Sequence, residues 1–473
     1  MSTKAHIDRL SKGFSVSDHK RMNSAVSFGR QHLQAIKRRT GVSYADHCVD
    51  VALTLHEAVQ DPDVLMIAVL HDILVHPDGK DLLKQAPLSD NQKDIISTMH
   101  ELRRLHIHAN TEDLDKVIDA FMQEPELLHL RMAHRVSDIR QLPDFTPTLR
   151  KQIARETLYM YSAIAGRLGM HRWRSELEDS SFPIVQPKLA TQLQEQFRQS
   201  SSVDDVCLQH AHRFLQKELQ KQGITSSIQN RVKGLYSTYR KMVLKKRDFE
   251  ALTDRLALRI VVDSLDDCYR TLGIVHAVMH PIPGKLKDYI GAPKENGYQS
   301  IHTVVYPLPG VTDFPIEVQI RTQEMHQQCE YGLASHGEYK ANTYALHARQ
   351  SRVNLFRNLD NLRMETQTPK QFEEALRMYF REDHIAIFDA ESNLYHFKKP
   401  VAAIDIACAL YPQKYIRLKS VSINGRARSV DTLLHDGDTI DVSFGRKKTI
   451  APKWGHCALY PSTQKKIRGD LSV

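Results

Sequence analysis

Cations gather in two stretches of this sequence. Arg231 and Lys233 precede YSTYRKM, which itself holds Arg240 and Lys241. Lys285, Lys287 and Lys294 punctuate the Gly/Pro-rich run PGKLKDYIGAPKENGYQSIH. Polyphosphate chemistry needs such cations to offset charge that spreads over the transferring oxygens. It also needs carboxylates to hold Mg2+, an oxygen-seeking ion. Asp254 and Glu317 can supply them, and Tyr298, close to Asn296, offers an aromatic face to a base. Taken singly, a loop lysine is solvated and a tyrosine after glycine is packing; the set as a whole is what points to chemistry.

These residues need elements to position them. Apolar residues recur at helical spacing over 44–55 and 65–74, and again over 154–170, where Leu158, Tyr161, Ile164, Ala165 and Leu168 form one stripe. The Gln-rich stretch 188–221 is expected to be a helix bridging two domains. From Arg255 the period changes. RLALRIVVD puts Leu256, Leu258, Ile260 and Val262 on one side of a strand. PIEVQIRT puts Ile316, Val318 and Ile320 on one side and Glu317, Gln319 and Arg321 on the other. That polar row reads either as a wet outer face or as the floor of a polar site. Between these strands, 281–315 reads as a functional loop region. Further on, 384–389, 416–423 and 439–444 read as short strands, with a helix at 402–410 and turns at NGR and HDGD.

The chain has 473 residues, enough for roughly three domains, so its cores need no disulfide staples. Its 41% hydrophobic and 26% charged residues exclude a disordered or collagen-like chain. Net charge is +9, which favours phosphate-bearing partners without separating nucleotide, RNA and acidic membrane. No stretch approaches the roughly 20 apolar residues of a membrane span. The N-terminal residues lack the apolar region of a secretory signal. The six cysteines form no CxxC pair; no zinc-finger spacing is present, and a reducing cytoplasm is expected.

RVKGLYSTYRKM, TDRLALRIVV, DDCYRTLGIVHAVMHPIPGKLKDYIGAPKENGYQSIHTVVY and IEVQIRTQEMHQQCEYGLASHGEYK together resemble the synthetase domain of the RelA/SpoT family. These enzymes move pyrophosphate from ATP to the 3′-hydroxyl of GDP or GTP. The resemblance implies a mixed sheet with flanking helices, related to nucleotidyltransferases. It implies that Arg231, Lys233 and Lys241 hold ATP, that Asp254 and Glu317 bind Mg2+, and that Glu317 is the base for the acceptor hydroxyl. Tyr298 would stack on guanine, and Lys287, Lys294, Asn296 and His302 would line the acceptor nucleotide. Asn230 and Val232 replace the family's usual Gly and Pro in the ATP loop. The basic motif KLKD resembles that of two-activity members and suggests a preference for GDP.

The helical first third resembles the family's HD hydrolase domain through RRTGVSYADH, AVLHD, ARETLYMYSAIAGRLGM and SELED. His47, His71 and Asp72 match metal ligands there. Where the family motif LADRLHNMRTL has Asp and Asn, this chain has His134 and Asp138. A set of three His and one Asp suits Mn2+ or another transition metal. The family's acidic pair after HD is replaced by Val75 and His76, and Val75 accepts no proton. An inactive hydrolase is expected. Arg38 and Arg39 match positions near the family's guanine pocket.

HIAIFDAESNLYHF, AIDIACALY, VSINGR and LLHDGDTIDV resemble a TGS domain, a small β-grasp module. PKWGHCALYPSTQKKIR resembles the segment that follows it. The module meets tRNA in ribosome-activated members partly through a His, and Tyr411 stands at that position, so a ribosome or tRNA partner is doubtful. The resemblance stops short of the helical, zinc-finger-like and ACT-type modules of long members. The expected organisation is an all-α HD-type domain over 1–180 and an α/β nucleotidyltransferase-like synthetase domain with a helical linker over 181–345. A linker helix over 346–382, the TGS domain over 383–446 and a C-terminal segment over 447–473 follow. Two alternatives stay open: pyrophosphorylation of the tRNA 3′ end, and a guanine-nucleotide-binding regulator without activity.

Overall fold

A computed structural model describes residues 3–104, 125–245, 248–249, 252, 255–294, 296–332, 371, 384–391, 394–435 and 437–471. Asp254 and all but one residue of the expected linker helix at 346–382 lie outside these residues. The chain divides into two compact units, 1–287 with 300–380, and 288–299 with 381–473.

The first unit begins with a helical core. Helix Tyr44–His56 is capped by Ser43, whose side chain accepts from the Asp46 N–H, and Pro62–Leu70 is capped by Asp61 with Pro62 in its first turn. Every residue from Val64 to Leu70 is buried, as expected of a helix that is apolar all round. It packs against Tyr44–His56, which in turn packs on Pro125–Arg140. The helix expected over 65–74 ends earlier, at Leu70. His71 sits at its C-cap and turns its ring Nδ1 onto the Ala68 carbonyl at 2.7 Å, satisfying one of the end carbonyls. A 3-10 turn, Ile73–Val75, follows.

The helical stretch 154–170 is interrupted. Helix Pro147–Glu156 passes into a π turn, Thr157–Tyr161, before Ser162–Arg167 resumes. The Ser162 hydroxyl donates back to the Leu158 carbonyl at 2.7 Å, a competitor of the regular ladder. Helices His171–Val185 and Pro187–Lys221 then lead to a sheet.

That sheet has the order β1-β2-β5-β4-β3, with β1 Ser226–Val232, β2 Leu256–Val262, β3 Lys287–Asp288, β4 Ile301–Val305 and β5 Ile316–Thr322. β2 and β5 run parallel, while β1 and β4 run antiparallel to their neighbours, so the sheet is mixed. The two-sided pattern read for β2 gives way to burial along nearly its whole length. Helices Pro187–Lys221, Leu265–Val278 and Gln323–Tyr331 pack on it, as suits a central parallel strand. β1 and β4 went unread as strands. β1 is polar and mostly exposed because it is an edge; β4 lay inside the run taken as loop.

The second unit holds a sheet ordered β7-β6-β10-β8-β9: β6 His384–Asp389, β7 Leu394–Lys398, β8 Leu418–Ile423, β9 Arg426–Arg428 and β10 Thr439–Phe444. β6 and β10 are parallel and the other pairs antiparallel. Asn424 and Gly425, both at positive φ, make the tight turn between β8 and β9. Helix Ala403–Leu410 is buried, and the Asp405 carboxylate accepts from the N–H groups of Ala402, Leu459 and Tyr460. One buried carboxylate thereby ties the helix start to the chain's last stretch.

Candidate functional site

His47 lies on helix Tyr44–His56, His71 and Asp72 just past Pro62–Leu70, and His134 on Pro125–Arg140. All four are buried, and one ligand atom from each lies within 4.8 Å of all the others. The three imidazoles meet edge to face, with ring centroids 4.8–5.5 Å apart. The structure therefore assembles the four side chains read from the sequence as a residual metal site. Three imidazoles and a carboxylate, withdrawn from water at this spacing, fit a divalent transition ion.

A second layer backs this cluster. His134 Nδ1 is 3.2 Å from Asp138 Oδ2, and Arg38 donates to Asp138 Oδ1 at 2.8 Å. Burial raises the Asp138 carboxyl, but His134 and Arg38 outweigh it and hold the group well below its ordinary range. Arg38 also stands 3.0 Å from His47 Nδ1. His47 Nε2 lies 3.9 Å from Asp72. Burial, then His134, Arg38 and His71, push His47 well below the ordinary imidazole value, so the ring is neutral. Arg38, which the resemblance placed near a guanine pocket, is committed to this layer. Val75 and His76 follow Asp72 through the 3-10 turn, and His76 Nδ1 accepts from the Asp78 N–H at 3.0 Å.

The sheet carries the second cluster. Gln319 and Arg321 are only 3% and 1% exposed, which decides against a wet outer face for the polar row of β5. Glu317 sits in one cross-strand line with Ala257 of β2 and Arg231 of β1. Its Oε1 is 3.1 Å from His302 Nδ1 on β4, and its Oε2 accepts from Gln319 Nε2 at 2.8 Å. Gln319 in turn accepts from Arg231 at 3.3 Å. Burial alone would raise the Glu317 carboxyl, yet His302, Gln319 and Lys233 bring it down to about 2. Arg321 does not share this floor. With Arg259 and His326 it surrounds Glu330, on helix Gln323–Tyr331, at 2.9–4.0 Å. Burial first, then Arg321 and Arg259, lower His326 to about 4.

The expected ATP-side cations flank the floor. Lys233 follows β1, and its N–H donates to the Arg255 carbonyl. Burial lowers its ammonium pKa, Arg231 and Arg240 add to that, and Glu317 opposes it. Lys241 lies on helix Leu235–Lys245, whose first turn is capped from outside: Asp179 Oδ1 accepts the Tyr236 N–H at 3.1 Å. A Cβ at Gly234 would come within 2.5 Å of Asp179, so the close approach requires glycine. The sequence reading quoted Asp179 within SELED but missed this role. An acidic residue placed to cap a helix start is a local signal only when both partners share one segment, and 57 residues separate these two.

The acceptor residues fall in two places. Lys287 and His302 belong to the first unit; Lys294, Asn296 and Tyr298 belong to the segment 288–299 of the second. Within that segment Lys294 Nζ lies 4.4 Å from the Tyr289 ring centroid and 5.1 Å from that of Tyr298. The two rings meet edge to face at 6.0 Å. Asn296 Oδ1 accepts from the Tyr298 N–H, across Gly297 at φ 73°. Tyr289 was missed, although it lies in the same motif.

A buried imidazole–carboxylate pocket in a helical domain thus precedes, along the chain, a mixed sheet with a carboxylate floor and flanking cations. Comparison with known proteins relates both regions to known domains. Residues 230–344 match the region found in RelA/SpoT proteins, and residues 25–171 match the HD domain. The bifunctional (p)ppGpp synthase/hydrolase SpoT of Escherichia coli is 30% identical over 454 residues, which cover 95% of this chain and 64% of that protein. A GTP pyrophosphokinase of Streptomyces antibioticus is 30% identical over 459 residues, covering 92% and 54%. A probable guanosine-3′,5′-bis(diphosphate) 3′-pyrophosphohydrolase of Synechocystis is 29% identical over 441 residues, covering 91% and 58%. The chain thus carries a RelA/SpoT region and an HD domain, and it spans between half and two thirds of the length of these relatives. Among the described residues no helix is long and apolar enough to cross a membrane.

Proposed function

We propose that this chain transfers pyrophosphate from ATP to the 3′-hydroxyl of GDP or GTP, releasing AMP and forming ppGpp or pppGpp. The observation that carries the reading is Glu317: a buried carboxylate held ionised by His302 and Gln319, in line with Arg231 across the sheet of the matched RelA/SpoT region. The acceptor 3′-oxygen attacks the β-phosphorus of ATP, the bond to the α-phosphate oxygen breaks, and AMP leaves. Arg231, Lys233 and Lys241 hold the donor phosphates. Tyr298 stacks on guanine, while Lys287, Lys294 and Asn296 line the acceptor. Asp254 and Glu317 are assigned to Mg2+, which when bound offsets charge on the phosphate oxygens. A carboxyl near 2 is a better metal ligand than proton acceptor, so the hydroxyl proton is assigned to the His302–Glu317 pair rather than to Glu317 alone.

The HD module is read as inactive in hydrolysis, because Val75 and His76 replace the acidic pair that would manage the water proton. The C-terminal unit is read as a TGS module, on its five-stranded sheet and single buried helix; Tyr411 disfavours tRNA as its ligand. The proposed substrates suit the cytoplasm. The deciding assay incubates the purified chain with labelled ATP, Mg2+ and GDP, GTP or tRNA. Label on the guanine nucleotide is the expected result. Label on the tRNA 3′ end would replace the acceptor assignment, and no label on any acceptor would reduce the chain to a nucleotide-binding regulator.

A further inference from the structure

The HD pocket has His134 and Asp138 where the resembled motif implies Asp and Asn, and the two side chains touch. His134 and Asp138 are one helical turn apart, and His134 Nδ1 lies 3.2 Å from the Asp138 carboxylate. A carboxylate at that distance accepts from Nδ1, which leaves Nε2 as the candidate ligand nitrogen. His71 is fixed in the same sense by the Ala68 carbonyl at 2.7 Å. These are the outer contacts that orient metal-binding imidazoles and raise their basicity. Two carboxylates at 134 and 138 would repel across one turn. A histidine at 134, by contrast, needs an acceptor at 138. Arg38, 2.8 Å from Asp138 and half-way to the His47 ring, anchors that acceptor and neutralises it. The negative charge lost from position 134 is therefore not returned to the pocket.

We infer that positions 134 and 138 form a matched pair that turns this pocket into a three-imidazole, one-carboxylate site selecting a nitrogen-favouring ion of the Co2+, Ni2+ or Zn2+ class against Mn2+, with Asp138 as the residue that positions His134. Mn2+ is held mainly by carboxylate and water oxygens, whereas imidazole suits the later ions. Exchanging a carboxylate for an imidazole penalises Mn2+ most. The inference concerns metal choice and stands apart from transfer activity.

The test uses the full chain, stripped with a chelator and titrated separately with Co2+ and Mn2+ against a competing indicator, without nucleotide. The Co2+ absorption spectrum reports imidazole ligation and separates this pocket from the carboxylate floor at Glu317. The unmodified chain should bind one Co2+ with that spectrum. The double variant His134→Asp, Asp138→Asn should lower its preference for Co2+ over Mn2+ by about tenfold or more. Asp138→Asn alone, isosteric and folded, should weaken Co2+ by about 10–100-fold. An unchanged Co2+/Mn2+ ratio in the double variant would overturn the selectivity. Unchanged Co2+ affinity in Asp138→Asn would overturn the positioning role, and this arm holds even where the double variant does not fold.

Discussion

The HD pocket and the sheet floor are built in opposite ways. In the pocket, Val75, His76, His134 and Asp138 stand where the resemblance implies other residues. Its ligands nevertheless converge, because they lie on or directly after helices whose other residues fill the core. In the sheet region every expected cation is retained. Its polar residues, however, sit on strands and on a segment that groups with the other unit. A metal pocket made of core helices is held by packing, so its shape does not depend on the groups that would use the metal. A polyphosphate site is held by its charges and has less apolar surface to enforce its shape. The two also differ in what burial does: it pushes His47 well below the ordinary imidazole value in the pocket, whereas in the floor the partners of Glu317 overcome burial and hold it ionised.

The largest effect expected is a gain. The unmodified chain with Mn2+ should not release pyrophosphate from ppGpp at a useful rate. The variant Val75→Glu, His76→Asp, His134→Asp, Asp138→Asn should hydrolyse it about 10²–10⁴-fold faster, the usual worth of general acid–base groups. Robust hydrolysis by the unmodified chain would mean that packing preserved the chemistry as well as the pocket. Next comes a loss on the other side. Glu317→Gln keeps shape and removes charge, and should slow transfer by about 10²–10³-fold at saturating nucleotide; near-normal turnover would dissolve the floor as a site. A smaller effect is expected from Tyr298→Ala. It should weaken GDP or GTP by about 1–3 kcal/mol, a stacking contribution, and leave ATP nearly unchanged. Equal losses for both nucleotides would show that the Lys294–Tyr298 contact, rather than a base, is what the ring serves.

What the sequence made legible follows the same division. The metal ligands were readable because they fall at motif positions inside strongly periodic helices. The floor was readable at Glu317 because a strand alternates. Its contact with His302 was not readable, since a cross-strand contact over 15 residues depends on register. Arg321 shared the alternation but not the site, because Glu330 from the next helix claims it. β1 was invisible for a plain reason: an exposed edge strand such as SSIQNRV has no buried face to impose a period. The π turn at Thr157–Tyr161 and the early end of Pro62–Leu70 arise from backbone hydrogen bonding that apolar spacing does not encode.

The smallest effect expected is the most specific to the floor. Glu317 is held at about 2, against 4.5 for an ordinary glutamate. Its folded-state pKa is depressed, so the unfolded chain binds the proton more readily. The stabilisation this confers is complete above about pH 4.5 and is lost as pH falls through the interval toward 2. Glu317→Gln cannot titrate. The stability of the unmodified chain should therefore fall more steeply with acid than that of the variant, by up to about 1.4 kcal/mol per pH unit within that interval, and the two should run parallel above it. Urea unfolding followed by circular dichroism at a series of pH values measures this difference. Parallel curves throughout would mean that His302 and Gln319 do not hold the carboxylate ionised. The contrast between the pocket and the floor would then fail at the floor. A steeper loss confined below pH 4.5 would tie the charge to this one side chain, because no other group differs between the two proteins.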